Sequence, residues 1–199
     1  KEKHAVEYFI TEEGSVHDTP SLASDKFWED AARFSASIVG YVESTSWAEH
    51  VIAYANYHHS EGSHIPVADG WLFDQNPLMT QKFRGFLKKK YNTVEKLQRA
   101  YFDKLINFDN AQVPKDKLRG TVPEVSQIPY FQSGSDNQAL EDYLELTRDL
   151  FHQRFRQLGE AMDGAADRKM IFLHDALKQT MLGWNLKGFF GYSSFGEKI

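Results

Sequence analysis

The chain has no cysteine, which excludes disulfides and thiolate metal sites and leaves the compartment, cytoplasmic or secreted, unassigned. It has no apolar run near 18 residues and no signal-peptide pattern at its start, so no membrane segment is expected. It also has no block of like charge: the formal charge of -5 comes from interspersed acids and bases. That pattern argues against nucleic acid or an anionic membrane as the main partner. Internal repeats and low-complexity tracts are lacking too. What remains is a chain of 199 residues with 41% hydrophobic and 14% aromatic content, enough to bury one sizeable core. Most of the aromatics belong to that core, although sugar-binding clefts use aromatic faces as well.

The stretch from His50 to Trp71 changes character abruptly. His50 to Tyr57 is rich in β-branched and aromatic residues, as in a strand buried on both faces. Just past it stand His58, His59, Glu61 and His64, then Asp69, Gly70 and Trp71. In parallel α/β sheets and barrels the C-terminal ends of strands carry the ligands and the catalytic groups. A carboxylate set there among imidazoles and aromatics is a candidate site, and a polar loop that happens to hold histidines is the plainer alternative. The histidine spacing matches no zinc motif, so no metal and no cofactor is expected.

The rest of the chain reads mostly as helix. Ala5 to Ile10 is a short strand or extended arm, with turn residues Gly14, Asp18 and Pro20 after it. Ser24 caps a helix running to about Glu43, whose expected buried stripe is Phe27, Ala31, Phe34, Ile38 and Val42. Asn76 followed by Pro77 starts a second, with Met79, Phe83, Phe86 and Leu87 inward and Lys88 to Lys90 as a solvated, dipole-complementing end. Thr93 starts a third, with Val94, Leu97, Tyr101 and Leu105 inward. Asn107 to Asn137 is a long irregular connection. Leu140, Tyr143, Leu144, Thr147, Phe151, Phe155, Leu158 and Met162 mark the longest helix, with Gly164 as its stop. Lys169 to His174 reads as a second buried strand that again ends in polar groups, His174 and Asp175.

Two strands ending in titratable residues, with helices and loop between them, give an α/β fold class: part of a (β/α)8 barrel with mostly helical insertions. A closed barrel takes about 250 residues and eight strands. Residues 1–199 are therefore expected to form a single, partial barrel domain.

Val51 to Gly62, followed by Phe83-Arg84-Gly85-Phe86-Leu87-Lys88-Lys89-Lys90-Tyr91-Asn92-Thr93-Val94-Glu95-Lys96-Leu97, resembles the middle of the β-galactosidases of glycoside hydrolase family 42 and related (β/α)8-barrel glycosidases. The resemblance covers about residues 20 to 175. It implies a retaining glycosidase that uses two carboxylates, one as acid/base and one as nucleophile. Glu61 matches the acid/base. Ser60 stands where the family has an asparagine that helps hold the sugar's 2-hydroxyl. The nucleophile's strand would lie beyond Ile199, so the chain would be inactive alone. Asn56, His58, His59, Trp71, His174 and Asp175 are the candidate substrate contacts. A carbohydrate substrate is the implied partner, and a homo-oligomer is left open. The alternative is a non-catalytic carbohydrate- or metal-binding module on a barrel-like framework.

Overall fold

A computed structural model describes residues 7–54, 73–115 and 135–166. Among these, the chain runs through an antiparallel hairpin of β1 (Tyr8–Ile10) and β2 (Val16–Pro20), then four helices: α1 (Asp25–Glu43), α2 (Pro77–Tyr91), α3 (Val94–Tyr101) and α4 (Ser135–Asp163). Tyr8 lies opposite Pro20 and Ile10 opposite Val16, with a register shift between them. Gly14, at φ +81°, closes the hairpin in a left-handed conformation that favours glycine.

Each helix starts where its local chemistry says it should. The Ser24 hydroxyl accepts from Phe27 N–H at 3.1 Å and donates to Glu7 at 2.9 Å, so the cap also ties α1 to the chain before the hairpin. Ser24→Ala is expected to cost about 1–2 kcal/mol, seen as a lower urea midpoint with an unchanged slope. Asn76 Oδ1 accepts from Leu78 N–H at 2.8 Å, with Pro77 in the first turn of α2. The Thr93 side chain accepts from Lys96 N–H to begin α3. Gly164 follows the last residue of α4, donating its N–H to the Glu160 carbonyl at 3.0 Å.

The core lies between these helices. The long helix α4 packs along α1 and also meets α2 and α3. Met79, Phe83 and Leu87 of α2, Leu97 and Tyr101 of α3, and Tyr143, Leu150, Phe151, Phe155 and Leu158 of α4 are buried in one cluster. Tyr143 joins the layers, meeting Phe73 edge-on at 5.2 Å and Phe83 at 6.2 Å between centroids. The irregular stretch after α3 is held to α2 by Arg84, which donates to the Ala111 carbonyl at 2.8 Å, while Ala111 and Val113 are buried.

Three expectations are corrected. The buried face of α1 is Trp28, Ala32 and Val39, whereas Phe34 and Ile38 are 67% and 48% exposed. The roll of the helix is set at its start, where Trp28 Nε1 donates to the Ser21 carbonyl at 3.0 Å, and by the α4 residue Arg154, which donates to Leu22 O and Asp25. Leu105 is exposed because α3 ends at Tyr101, with Phe102 at φ 51° breaking the periodicity. Lys88 to Lys90 lie exposed in the last turn of α2 as expected, and Lys90 in addition has its Nζ 2.9 Å from Asp142 and pairs with Glu145. His50 closes a 3-10 turn, Ala48–His50, and Val51 to Tyr54 joins no strand. Trp47 O and Ala48 O already accept from His50 N–H and Val51 N–H in that turn, so the backbone there is committed locally. The remainder of that expected strand and the one expected at Lys169 to His174 lie outside the described residues.

Candidate functional site

Glu61, Asn56, His58, His59, Trp71, His174 and Asp175 all lie outside the described residues. What the structure does show is how the two flanks of the 55–72 segment are held, and by which groups.

On the near flank, Tyr54 packs with Val39 of α1 and Met162 of α4, and its hydroxyl pairs with Glu43. The last described residue before the segment is thus seated on the far ends of both long helices.

On the far flank, Phe73 and Asp74 are buried, and Asp74 organises the junction. Its Oδ1 accepts from Ile10 N–H at 3.1 Å and from Asn76 N–H at 2.9 Å, while its Oδ2 accepts from the Ser21 hydroxyl at 2.6 Å. Its own N–H donates to the Tyr143 hydroxyl at 2.9 Å. Asn76 adds a bond from Nδ2 to the Tyr8 carbonyl at 2.7 Å, and Gln75 N–H donates to the Ile10 carbonyl at 2.8 Å. Asp74 therefore joins β1, the turn before α1 and the N-terminus of α2 through its carboxylate, and the first third of α4 through its backbone N–H.

Burial pushes the Asp74 carboxyl above its ordinary value, against the opposing hydrogen bonds from Ser21, Ile10 and Asn76. A carboxyl whose pKa is raised by folding favours the fold most below its unfolded pKa, and that contribution is lost as pH rises through the raised value. The stability difference between the natural protein and Asp74→Asn is therefore expected to shift in favour of the natural protein as pH falls through the acid range. Urea titrations at stepped pH check this, and a pH-independent difference would contradict it.

A second buried carboxylate, Asp142, is fully enclosed and holds α2, α3 and α4 together. It accepts from Lys90 Nζ at 2.9 Å, Tyr91 Oη at 2.8 Å, Tyr101 Oη at 2.9 Å and Gln138 Nε2 at 3.0 Å. Burial first, and then the Asp142 charge, raise both tyrosine hydroxyls above their usual range, so they stay protonated donors. A third cluster joins α1, α2 and α4 through Asp25, which takes Arg154 at 2.5 Å and Lys82 at 2.8 Å. Although partial burial opposes it, hydrogen bonds from these two cations hold the Asp25 carboxyl below its ordinary value.

Sequence reasoning singled out neither Asp74 nor Asp142. The usable signal for Asp74 was its place two residues before a strong helix cap. Asp142 carried the weaker signal of an acid flanked by core positions Leu140 and Tyr143. Both have their oxygens filled by donors from the protein, which suits anchoring rather than proton transfer to a ligand. Among the described residues no group of three or more His, Asp or Glu side chains is placed to hold a metal ion. No described helix is long and apolar enough to cross a membrane.

No protein-family model matches the sequence, and no curated protein does. The solved structures do give a likeness. One is the β-galactosidase from the psychrophilic Marinomonas ef1, with a TM-score of 0.60 and 14% identity, covering 86% of this chain and 24% of that one. Another is the catalytic domain of β-amylase from Paenibacillus polymyxa, also at 0.60, with 17% identity, covering 82% of this chain and 40% of that domain. This chain thus spans between a quarter and two fifths of the length of the proteins it resembles. At such identities the likeness speaks for the fold. Both neighbours are barrel glycosidases, and a chain that is helical with few strands among its described residues is compatible with part of such a barrel.

Proposed function

We propose that the chain is part of a retaining glycoside hydrolase acting on β-galactosides or related sugars, with Glu61 as general acid/base and the nucleophile supplied from outside these residues. The observation that carries this reading is the fold likeness to two glycosidases over more than four fifths of the chain.

In this mechanism protonated Glu61 donates to the glycosidic oxygen as the second carboxylate attacks the anomeric carbon. The glycosyl-enzyme ester is then hydrolysed by a water that gives its proton to Glu61, restoring both groups. Asn56, His58, His59, His174 and Asp175 supply hydrogen bonds to sugar hydroxyls, and Trp71 offers an aromatic face to the ring.

The test is a panel of aryl and alkyl glycosides offered to the complete gene product that carries this sequence. Turnover of a β-galactoside ahead of the other sugars is the expected result. Turnover of an α-glucan instead would keep the hydrolase and replace its substrate. Sugar binding by calorimetry without turnover of any member would overturn the proposal in favour of a binding module.

A further inference from the structure

Asp74 is a buried carboxylate whose partners are all neutral. Its oxygens take Ile10 N–H, Asn76 N–H and the Ser21 hydroxyl, and no cation among the described residues pairs with it. The titratable group that faces it is the Tyr143 hydroxyl of α4, which burial raises above its usual range and so keeps neutral. Charges on the adjoining elements are engaged elsewhere. Glu7 accepts from Ser24, Asp25 of α1 takes Lys82 of α2 and Arg154 of α4, and His17 lies 3.0 Å from Asp18 in the hairpin. Glu12 and Glu13 stand exposed in the hairpin turn.

Ionising a buried carboxyl without a cation is costly. The donors to Oδ1 are N–H groups, which can only donate, so a proton on this carboxyl belongs on Oδ2. There it meets the Ser21 hydroxyl at 2.6 Å, a group that turns from donor to acceptor. Ser21 Oγ takes Ala23 N–H at 3.1 Å and keeps a second lone pair for that proton. The junction therefore closes in either state, and the ionised one carries an uncompensated charge into the core.

The hairpin hangs on this junction. Besides Ile10 N–H to Asp74, Gln75 N–H donates to the Ile10 carbonyl and Asn76 Nδ2 to the Tyr8 carbonyl, so residues 74–76 hold β1 by both backbone and side chain. We propose that Asp74 and Ser21 form a proton-operated latch that fastens the β1–β2 hairpin to the N-terminus of α2, firm when the carboxyl carries its proton and looser when it does not. Opening returns the carboxyl to water, where it ionises near its ordinary value of about 3.9. Below that value the latch is at its firmest. Above it, opening releases a proton, and the opening equilibrium climbs by up to about tenfold per pH unit until the docked carboxyl has ionised too. The latch is independent of any sugar chemistry.

The test is NMR of the complete gene product with selectively labelled Asp, Ile and Asn, stepped from about pH 4 to about pH 7. The Asp74 carboxyl is expected to titrate above the ordinary carboxylate value. Protection of the Ile10 and Asn76 amides, corrected for intrinsic exchange, should fall by about fivefold or more over the range. The Asn92 amide, which donates to the Lys88 carbonyl within α2, should hold steady. In Asp74→Asn the amide donates to Ser21 as the protonated acid would, so protection at Ile10 and Asn76 should lose its pH dependence. Ser21→Ala removes a hydrogen bond that is stronger to the charged form, and should move the Asp74 titration higher. Titration at or below the ordinary value, level protection in the natural protein, an unchanged slope in Asp74→Asn, or a lowered midpoint in Ser21→Ala would each overturn the proposal.

Discussion

Glu61→Gln in the complete protein is expected to lower kcat/KM for an alkyl β-galactoside by a factor on the order of 10²–10⁴, the usual contribution of a positioned general acid. The amide keeps the size and much of the hydrogen bonding of the acid but has no proton to give to the leaving oxygen. An aryl galactoside with a nitrophenolate leaving group needs little protonation, so its first step should be far less affected. Its second step, which needs Glu61 as base, should become rate-limiting, and added azide should then accelerate turnover and give the galactosyl azide. Unchanged kinetics on the alkyl substrate would remove Glu61 from the mechanism. Equal losses on both substrates, without azide rescue, would mark it as a structural residue.

The largest stability effect is expected at Asp142. Asp142→Ala strands the Tyr101 hydroxyl in the core and leaves the partly buried Tyr91 hydroxyl without its acceptor. Lys90 is then left with Glu145 for its charge. Removing one partner of a buried charged cluster costs about 3–5 kcal/mol. Asp142→Asn keeps one acceptor oxygen and should cost about half as much. Urea unfolding measures both. Because folding raises the tyrosine pKa values, the stabilisation they provide is full below their ordinary value of about 10 and falls away as pH climbs past it. A cost under about 1 kcal/mol for Asp142→Ala would mean that the network is not sealed from water.

The difference between what could and could not be read in the sequence follows from range. Ser24, Asn76-Pro77, Thr93 and Gly164 act on backbone groups within four residues, so the starts of α1, α2 and α3 and the stop of α4 were legible from local pattern alone, whereas the end of α3 at Tyr101 and the start of α4 at Ser135 were not. The inward faces of α2 and α4 were legible because each helix has one dominant apolar stripe. Helix α1 has two, and which one enters this core is decided by Trp28 reaching Ser21 and by Arg154 reaching Leu22 from 132 positions away. The same limit hid Asp74 and Asp142, whose partners come from three or four separate elements. At the candidate site itself, Glu61 stood out through its residue type and its place after an apolar stretch. The local cue at Asp74, its place two residues before the Asn76 cap, could not reveal that Ile10 and Ser21 converge on it to anchor the far flank of that segment.

The account stands most directly on the stereochemistry of the first product. Proton NMR of a β-galactoside digest by the complete protein, recorded before mutarotation, should show β-galactose first, because two successive displacements at the anomeric carbon restore its configuration. First appearance of the α-anomer would mean a single displacement by water, and would contradict a covalent intermediate served by Glu61.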